Sequence, residues 1–168
     1  MNWIYDTNED NSARFTLGEY DTFLSKTLIC FGINPSTATP ENLDNTIRKI
    51  KAISKNNGYT NWIMLNVYPQ RTTNPNNLHS IQDKTLIDIN LTHIKKVLFN
   101  FKNADILFAY GNLISIRKYL NELLNEILSQ IKLCNFQGKS LCFKLTKQGY
   151  PVHPLYQSNN SKLIDYQI

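Results

Sequence analysis

Apolar residues fall along this chain in two alternating rhythms. Short, nearly continuous apolar runs recur at about Thr27 to Ile33, Asn61 to Tyr68, Asp105 to Tyr110 and Ser140 to Leu145. Such runs are expected of strands buried on both faces. Each is followed by a turn signal: Pro35, Pro69, Gly111-Asn112 and Gln148-Gly149-Tyr150-Pro151. Proline has no amide hydrogen for a ladder, and it holds the residue before it, here Asn34, in an extended conformation. Between the runs the spacing becomes helical. Asp44 is placed to cap a helix over Asn45 to Asn56 that turns Ile47, Ile50 and Ile53 or Ser54 inward and stops at Gly58. Ile87, Leu91, Ile94, Leu98 and Phe101 mark a second helix over Asp83 to Phe101. Leu113, Ile116, Leu120, Leu123, Ile127 and Ile131 line a third, from Leu113 to Lys132. Residues 1–26 read as irregular, with Arg14 to Leu17 alternating like an edge strand or hairpin arm, and 157–168 read as a polar tail.

Strand alternating with helix predicts an α/β fold: a single-domain, three-layer α/β/α arrangement over residues 1–168, around a central, mainly parallel, four-stranded sheet. No repeat, linker or low-complexity block interrupts it. In a parallel sheet all strand carboxyl ends share one edge, where ligands of open α/β sheets bind. Asn34, the segment Asn66–Arg71, Gly111-Asn112 and His153 are therefore expected to converge on one pocket.

Composition changes this picture little. A chain of 168 residues with 42% hydrophobic residues suits one globular core. Lys and Arg number 18 against 13 Asp and Glu, a formal net charge of +5. That balance suits an acidic partner and is also common among proteins without one. Arg48, Lys51 and Lys55 fall on one helical face, either a solvated stripe or a phosphate contact. Cys30, Cys134 and Cys142 form no C-x-x-C pair and read as reduced, buried thiols. The start lacks a basic, then apolar, leader, and no membrane span is visible, so a cytoplasmic address without a membrane partner is expected.

Common catalytic signatures are missing: there is no P-loop, G-x-G-x-x-G, G-x-S-x-G or H-E-x-x-H. Ser36 has no evident base. His79 and His93 lack metal-ligand spacing to other donors, so neither a metal nor a cofactor is expected. The expected pocket instead gathers carboxamides, an imidazole, a guanidinium, hydroxyls and aromatics. Carboxamides read the donor and acceptor edges of nucleobases, and a histidine donor stabilises charge on a departing base. Tyr68, Tyr110 and Tyr156 would serve as pocket walls or as stacking partners.

Four short motifs, in order, resemble those of the uracil-DNA glycosylase superfamily: Gly32-Ile33-Asn34-Pro35, Met64-Leu65-Asn66, Phe108-Ala109-Tyr110-Gly111-Asn112 and His153-Pro154-Leu155. The chain departs from them at Ser36, at Tyr110 and in lacking Ser after His-Pro. A longer resemblance, from about Arg14 to Tyr156, is to an uncharacterised bacterial and phage family. It rests on Asn34-Pro35-Ser36-Thr37-Ala38, Asp44-Asn45-Thr46-Ile47-Arg48, Asn66 through Arg71-Thr72-Thr73, Tyr110-Gly111 and Gly149-Tyr150-Pro151-Val152-His153-Pro154-Leu155-Tyr156. That family supplies no activity.

The glycosylase resemblance implies a glycosylase-like fold that cleaves an N-glycosidic bond of a uracil-like or modified base. Asn34 would orient water, Asn66 would read the base and His153 would stabilise it as it leaves. Pro35, Ser36, Tyr68, Gly111, Asn112, Leu155 and Tyr156 would complete the substrate site. Arg71 and the Arg48/Lys51/Lys55 stripe would meet phosphates of DNA or of a nucleotide-like ligand. Asp44 and Thr72 belong to the closer family's pattern; an Asp44–Arg48 pair one helical turn apart is the plain alternative. Other expectations keep the same pocket for a non-catalytic nucleotide or nucleic-acid binder, or for a hydrolase or transferase of a free nucleotide-like metabolite.

Overall fold

The structure, a computed structural model, describes residues 1–167. Its seven strands form one sheet: β1 (Asn2–Thr7), β2 (Arg14–Tyr20), β3 (Thr27–Gly32), β4 (Asn61–Asn66), β5 (Ala104–Phe108), β6 (Ser140–Cys142) and β7 (Ile164–Asp165). Its helices are α1 (Asn45–Asn56), α2 (Lys84–Asn100) and α3 (Lys118–Leu133). The sheet order is β1-β2-β4-β3-β5-β6-β7. The central β4-β3-β5-β6 block is parallel, whereas β1, β2 and β7 run antiparallel. The sheet is thus seven-stranded and mixed rather than four-stranded. The extra strands come from the two ends of the chain: β2 extends the hairpin arm expected at Arg14 to Leu17, whereas β1 and β7 arise where no strand was expected. Ile168 of the tail lies outside the described residues.

Side-chain alternation builds the three layers. Ile29, Phe31, Ile63 and Leu65 pack against α2 and α3. The opposite-facing Leu28, Cys30, Trp62 and Met64 pack against Ile47, Ile50 and Ile53 of α1. Burying each of these isoleucines contributes about 1.5–3 kcal/mol. Asp44 caps α1 by accepting the Ile47 N–H at 2.9 Å, and Asp83 caps α2 by accepting the Leu86 N–H at 3.1 Å.

The third helix starts later than its spacing predicts. Leu113 and Ile116 belong to a 3₁₀ turn and its cap, and Arg117 is extended before α3 begins. The last strand stops at Cys142 rather than Leu145. Cys30 and Cys142 are buried and free, and burial raises both thiol pKa values; Cys134 is exposed, against expectation. No helix among the described residues is long and apolar enough to cross a membrane.

One irregularity positions a key side chain. In the β1–β2 ladder Asp6 pairs with Thr16 but Thr7 pairs with Arg14, so Phe15 is an extra residue. Such a bulge breaks strict alternation and re-aims a side chain. Phe15 stacks on His93 of α2, 5.0 Å between ring centroids. Leu17 joins the α1-side core, and Arg14 lines the cavity on that same side.

Candidate functional site

Backbone bonds sew together the loops leaving β3 and β4. Val67 N–H donates to Gly32 O at 2.9 Å, Tyr68 N–H to Ile33 O at 2.8 Å and Thr72 N–H to Pro35 O at 2.9 Å. The entrance to β2 joins them: Arg14 N–H donates to Pro69 O at 3.0 Å and Arg71 N–H to Ser12 O at 2.8 Å. Above these loops, on the α1 side, lies a cavity of about 710 Å³, within the usual range for small-molecule sites. Asn34, Gly111, Asn112 and His153 line it, together with Ser36, Asp44, Thr72, Tyr110, Leu155 and Tyr156.

Asn34 is anchored through one end of its amide. Its Nδ2 donates to Pro35 O and Thr72 O, both at 2.9 Å, and reaches Gln70 O at 3.5 Å. Three carbonyl neighbours define which end is the NH₂. The opposite end, Oδ1, meets no donor among the described residues.

His153 stands beside Gly111. A Cβ at Gly111 would lie 3.6 Å from His153 Cβ, and Gly111 has φ +62°, which favours glycine. His153 Nδ1 accepts the Leu155 N–H at 3.2 Å. The neutral ring therefore carries its hydrogen on Nε2. Burial pushes the His153 pKa below the ordinary histidine value, opposed by the nearby Asp44 carboxylate.

Asn66 is wholly buried, and neither its Nδ2 nor its Oδ1 has a hydrogen-bond partner. Such an amide is costly unless something else meets it. Alternation along β4 from Trp62 and Met64 turns Asn66 to the α1 side. Asn66 itself does not line the cavity, against expectation; its neighbours Gly32 and Met64 do. A Cβ at Gly32 would stand 3.2 Å from Asn66 Oδ1 and 2.6 Å from Met64 Cε. Glycine at this position leaves room beside both groups, and the thioether end of Met64 is flexible.

Arg14 is the site residue that sequence reasoning missed. It is 1% exposed and lines the cavity. Its Nη1 donates to Ala38 O at 3.1 Å, and its Nε has no partner. Arg71 donates to that same carbonyl at 3.3 Å, to Ser36 O at 2.7 Å and to the Tyr5 hydroxyl at 2.6 Å. Burial and the neighbouring Arg71 lower the Arg14 pKa to about 10, against the pull of Asp44 and Tyr5. The one sequence signal was an arginine opening the alternating run Arg14-Phe15-Thr16-Leu17.

Other candidates lie elsewhere. Arg71 sits behind the 36–38 loop and does not line the cavity, and buried Pro35 contributes only its carbonyl to the scaffold. Tyr68 belongs to the opposite face, where its fully buried ring bonds His79 Nδ1 at 2.7 Å and accepts the Asp83 N–H at 3.0 Å. Tyr110 lines the cavity with its hydroxyl 3.1 Å from that of Tyr166.

The basic stripe does not form a rim. Lys51 pairs with Glu19 at 2.6 Å, Lys55 is exposed, and Arg48 borders a separate shallow groove. Arg48 contacts Asn45 Oδ1 at 3.4 Å rather than pairing with Asp44, which is occupied in capping α1. Among the described residues no group of three or more His, Cys, Asp or Glu could hold a metal.

The chain matches the family described as "Protein of unknown function (DUF1643)" over residues 14–155, and it belongs to that family. No curated protein and no solved structure matches it.

Proposed function

We propose that this DUF1643-family chain is a nucleobase-processing hydrolase that cleaves an N-glycosidic bond to a uracil-like or modified base. The observation that carries the reading is the pairing of Asn34 and His153 in one cavity. One presents a free carbonyl oxygen on an anchored amide, and the other a neutral ring with its hydrogen on Nε2. Water held by Asn34 Oδ1 adds to the anomeric carbon as the carbon–nitrogen bond breaks. The electron pair departs with the base, where His153 Nε2–H stabilises the developing charge. The water's surplus proton passes to the base or to solvent. An early-departing leaving group needs no strong base, which suits a site whose Ser36 has no partnered histidine.

Asn66 supports the choice of a nucleobase. Its buried amide offers one donor and one acceptor side by side, the complement of a pyrimidine's amide-like edge. The four glycosylase-like motifs support a glycosylase-like fold, with Asn66 closing β4, Asn34 just past β3 and His153 capping a short 3₁₀ turn.

The test is release of free base from DNA carrying uracil, mismatches or modified pyrimidines, and from the matching free nucleotides. Wild type should release base from at least one substrate, and Asn34→Ala and His153→Ala should not. A wild-type rate no higher than that of the double variant across the panel overturns the reading.

A further inference from the structure

Resting on the reading just given, we infer that the cavity takes a free nucleotide whose phosphate sits between Arg14 and the amino end of α1, rather than a base flipped from a nucleic-acid strand. Three observations carry this. First, Arg14 is a buried guanidinium with one hydrogen bond to protein, through Nη1, and an unpartnered Nε. Arg71 crowds it at a shared carbonyl, and no carboxylate lies within ion-pair distance of either among the described residues. A buried and a half-buried cation at one oxygen call for an anion, and a phosphoryl group matches the fork geometry of a guanidinium.

Second, α1 points its amino end into the same cavity, with Asp44, Asn45, Thr46 and Ile47 on the wall. Asp44 occupies the Ile47 N–H through its side chain and the Arg48 N–H through its carbonyl. The Asn45 and Thr46 N–H groups have no acceptor among the described residues. Free first-turn N–H groups with the helix dipole behind them bind oxyanions. Asp44 is the one carboxylate on this wall, set against Arg14 and Arg71.

Third, the cavity wall itself offers a polymer little positive charge; Arg48 and Lys49 lie in the adjoining groove, which shares Asn45 and Leu155 with it. Arg14 is the only Lys or Arg among the lining residues, and it is deep; the exposed lining positions near the end of the chain are Leu155 and Tyr156. A nucleic-acid strand is held by cations along its flanking phosphates. A nucleoside monophosphate carries its single phosphate inside. Cleavage then exchanges the carbon–nitrogen bond for a carbon–oxygen bond to water, giving free base and a sugar phosphate.

Equilibrium binding by calorimetry tests this, using nucleoside 5′-monophosphates, the matching nucleosides, inorganic phosphate and a single-stranded oligonucleotide. Wild type should bind at least one monophosphate about 10- to 100-fold more tightly than its nucleoside, the value of one charge-assisted contact. Arg14→Gln should lower monophosphate affinity at least tenfold and shrink that ratio toward one. Because Arg14 is buried, Asn45→Pro is the second variant. It deletes a first-turn N–H at a position where proline is tolerated, and Asp44 before it is already extended, at ψ 173°. It should lower monophosphate affinity severalfold in a folded protein. Equal affinity for nucleotide and nucleoside, unchanged in both variants, overturns the phosphate site and leaves the glycosidase reading standing. Arg14-dependent binding of inorganic phosphate without any base release overturns the glycosidase reading and keeps the anion site. Tighter, steeply salt-dependent binding of the oligonucleotide overturns the monomeric substrate.

Discussion

Strand β4 begins and ends on a fully buried asparagine, and the fold treats the two in opposite ways. At the amino end, Asn61 accepts the Asp21 N–H at 2.8 Å and donates to Thr22 O at 2.8 Å and to the Thr27 hydroxyl at 2.9 Å. Its amide is spent holding the β2–β3 connection against the sheet. At the carboxyl end, Asn66 has no partner at either side-chain atom. The two ends of one six-residue strand thus carry a structural amide and an uncommitted one. Asn34 Oδ1, Asn66 and Arg14 bring free polar capacity to the carboxyl edge on the α1 side, while α2 holds a further unpartnered Asn90 Oδ1. The opposite face of the same strands is closed by Phe31, Leu65 and Phe108. A buried group that stabilises finds its partners within the chain; one that serves a ligand is left incomplete.

The largest effect expected from this contrast is on catalysis. His153→Ala should lower base release by about 10²–10³-fold with little change in unfolding free energy, since its loss removes a donor aimed at developing charge. Single-turnover assays beside urea melts check both halves. Stability separates the asparagines next. Asn61→Leu should cost about 3 kcal/mol, because it orphans several buried groups. Asn66→Leu should be neutral or stabilising by about 1 kcal/mol while abolishing nucleobase binding. Equal losses in chemical denaturation would erase the distinction between the two ends of β4.

Gly32→Ala sharpens the comparison from the cavity side. The new methyl would stand 2.6 Å from Met64 Cε and 3.2 Å from Asn66 Oδ1. The flexible methionine end can yield, so the stability cost should stay near 1 kcal/mol or below. Base affinity should fall about tenfold because the methyl crowds Asn66.

The smallest effect concerns pH. Burial lowers the His153 pKa, so the folded protein holds this ring neutral where the unfolded chain begins to bind a proton. The unfolded state then binds more protons, and stability contributed by the neutral ring, full above pH 6.5, is lost as pH falls through the folded pKa. Thermal midpoints from pH 8 to 5 should fall less steeply in His153→Gln than in wild type.

The local rhythm of the chain was sufficient for the existence of the three helices, the cap at Asp44 and the four parallel strands. These depend on side-chain period and on residues a few positions apart. The same rhythm brought Asn34, Gly111 and His153 to a common edge, since parallel strands have one carboxyl side. It found the start of β2 as a hairpin arm but missed β1 and β7, whose partners lie across turns or far along the chain, and it misplaced Tyr68, which lies just past the end of β4 and on the other face. It could not show that Phe15 is a bulge, that Arg14 is thereby buried in the cavity wall, or that Asn61 is satisfied where Asn66 is not. Those facts depend on contacts such as Arg14 with Ala38, Asn34 with Thr72 and Asn61 with Asp21. Whether a polar side chain is spent or free is a property of its three-dimensional neighbours, and only tertiary packing decides who they are.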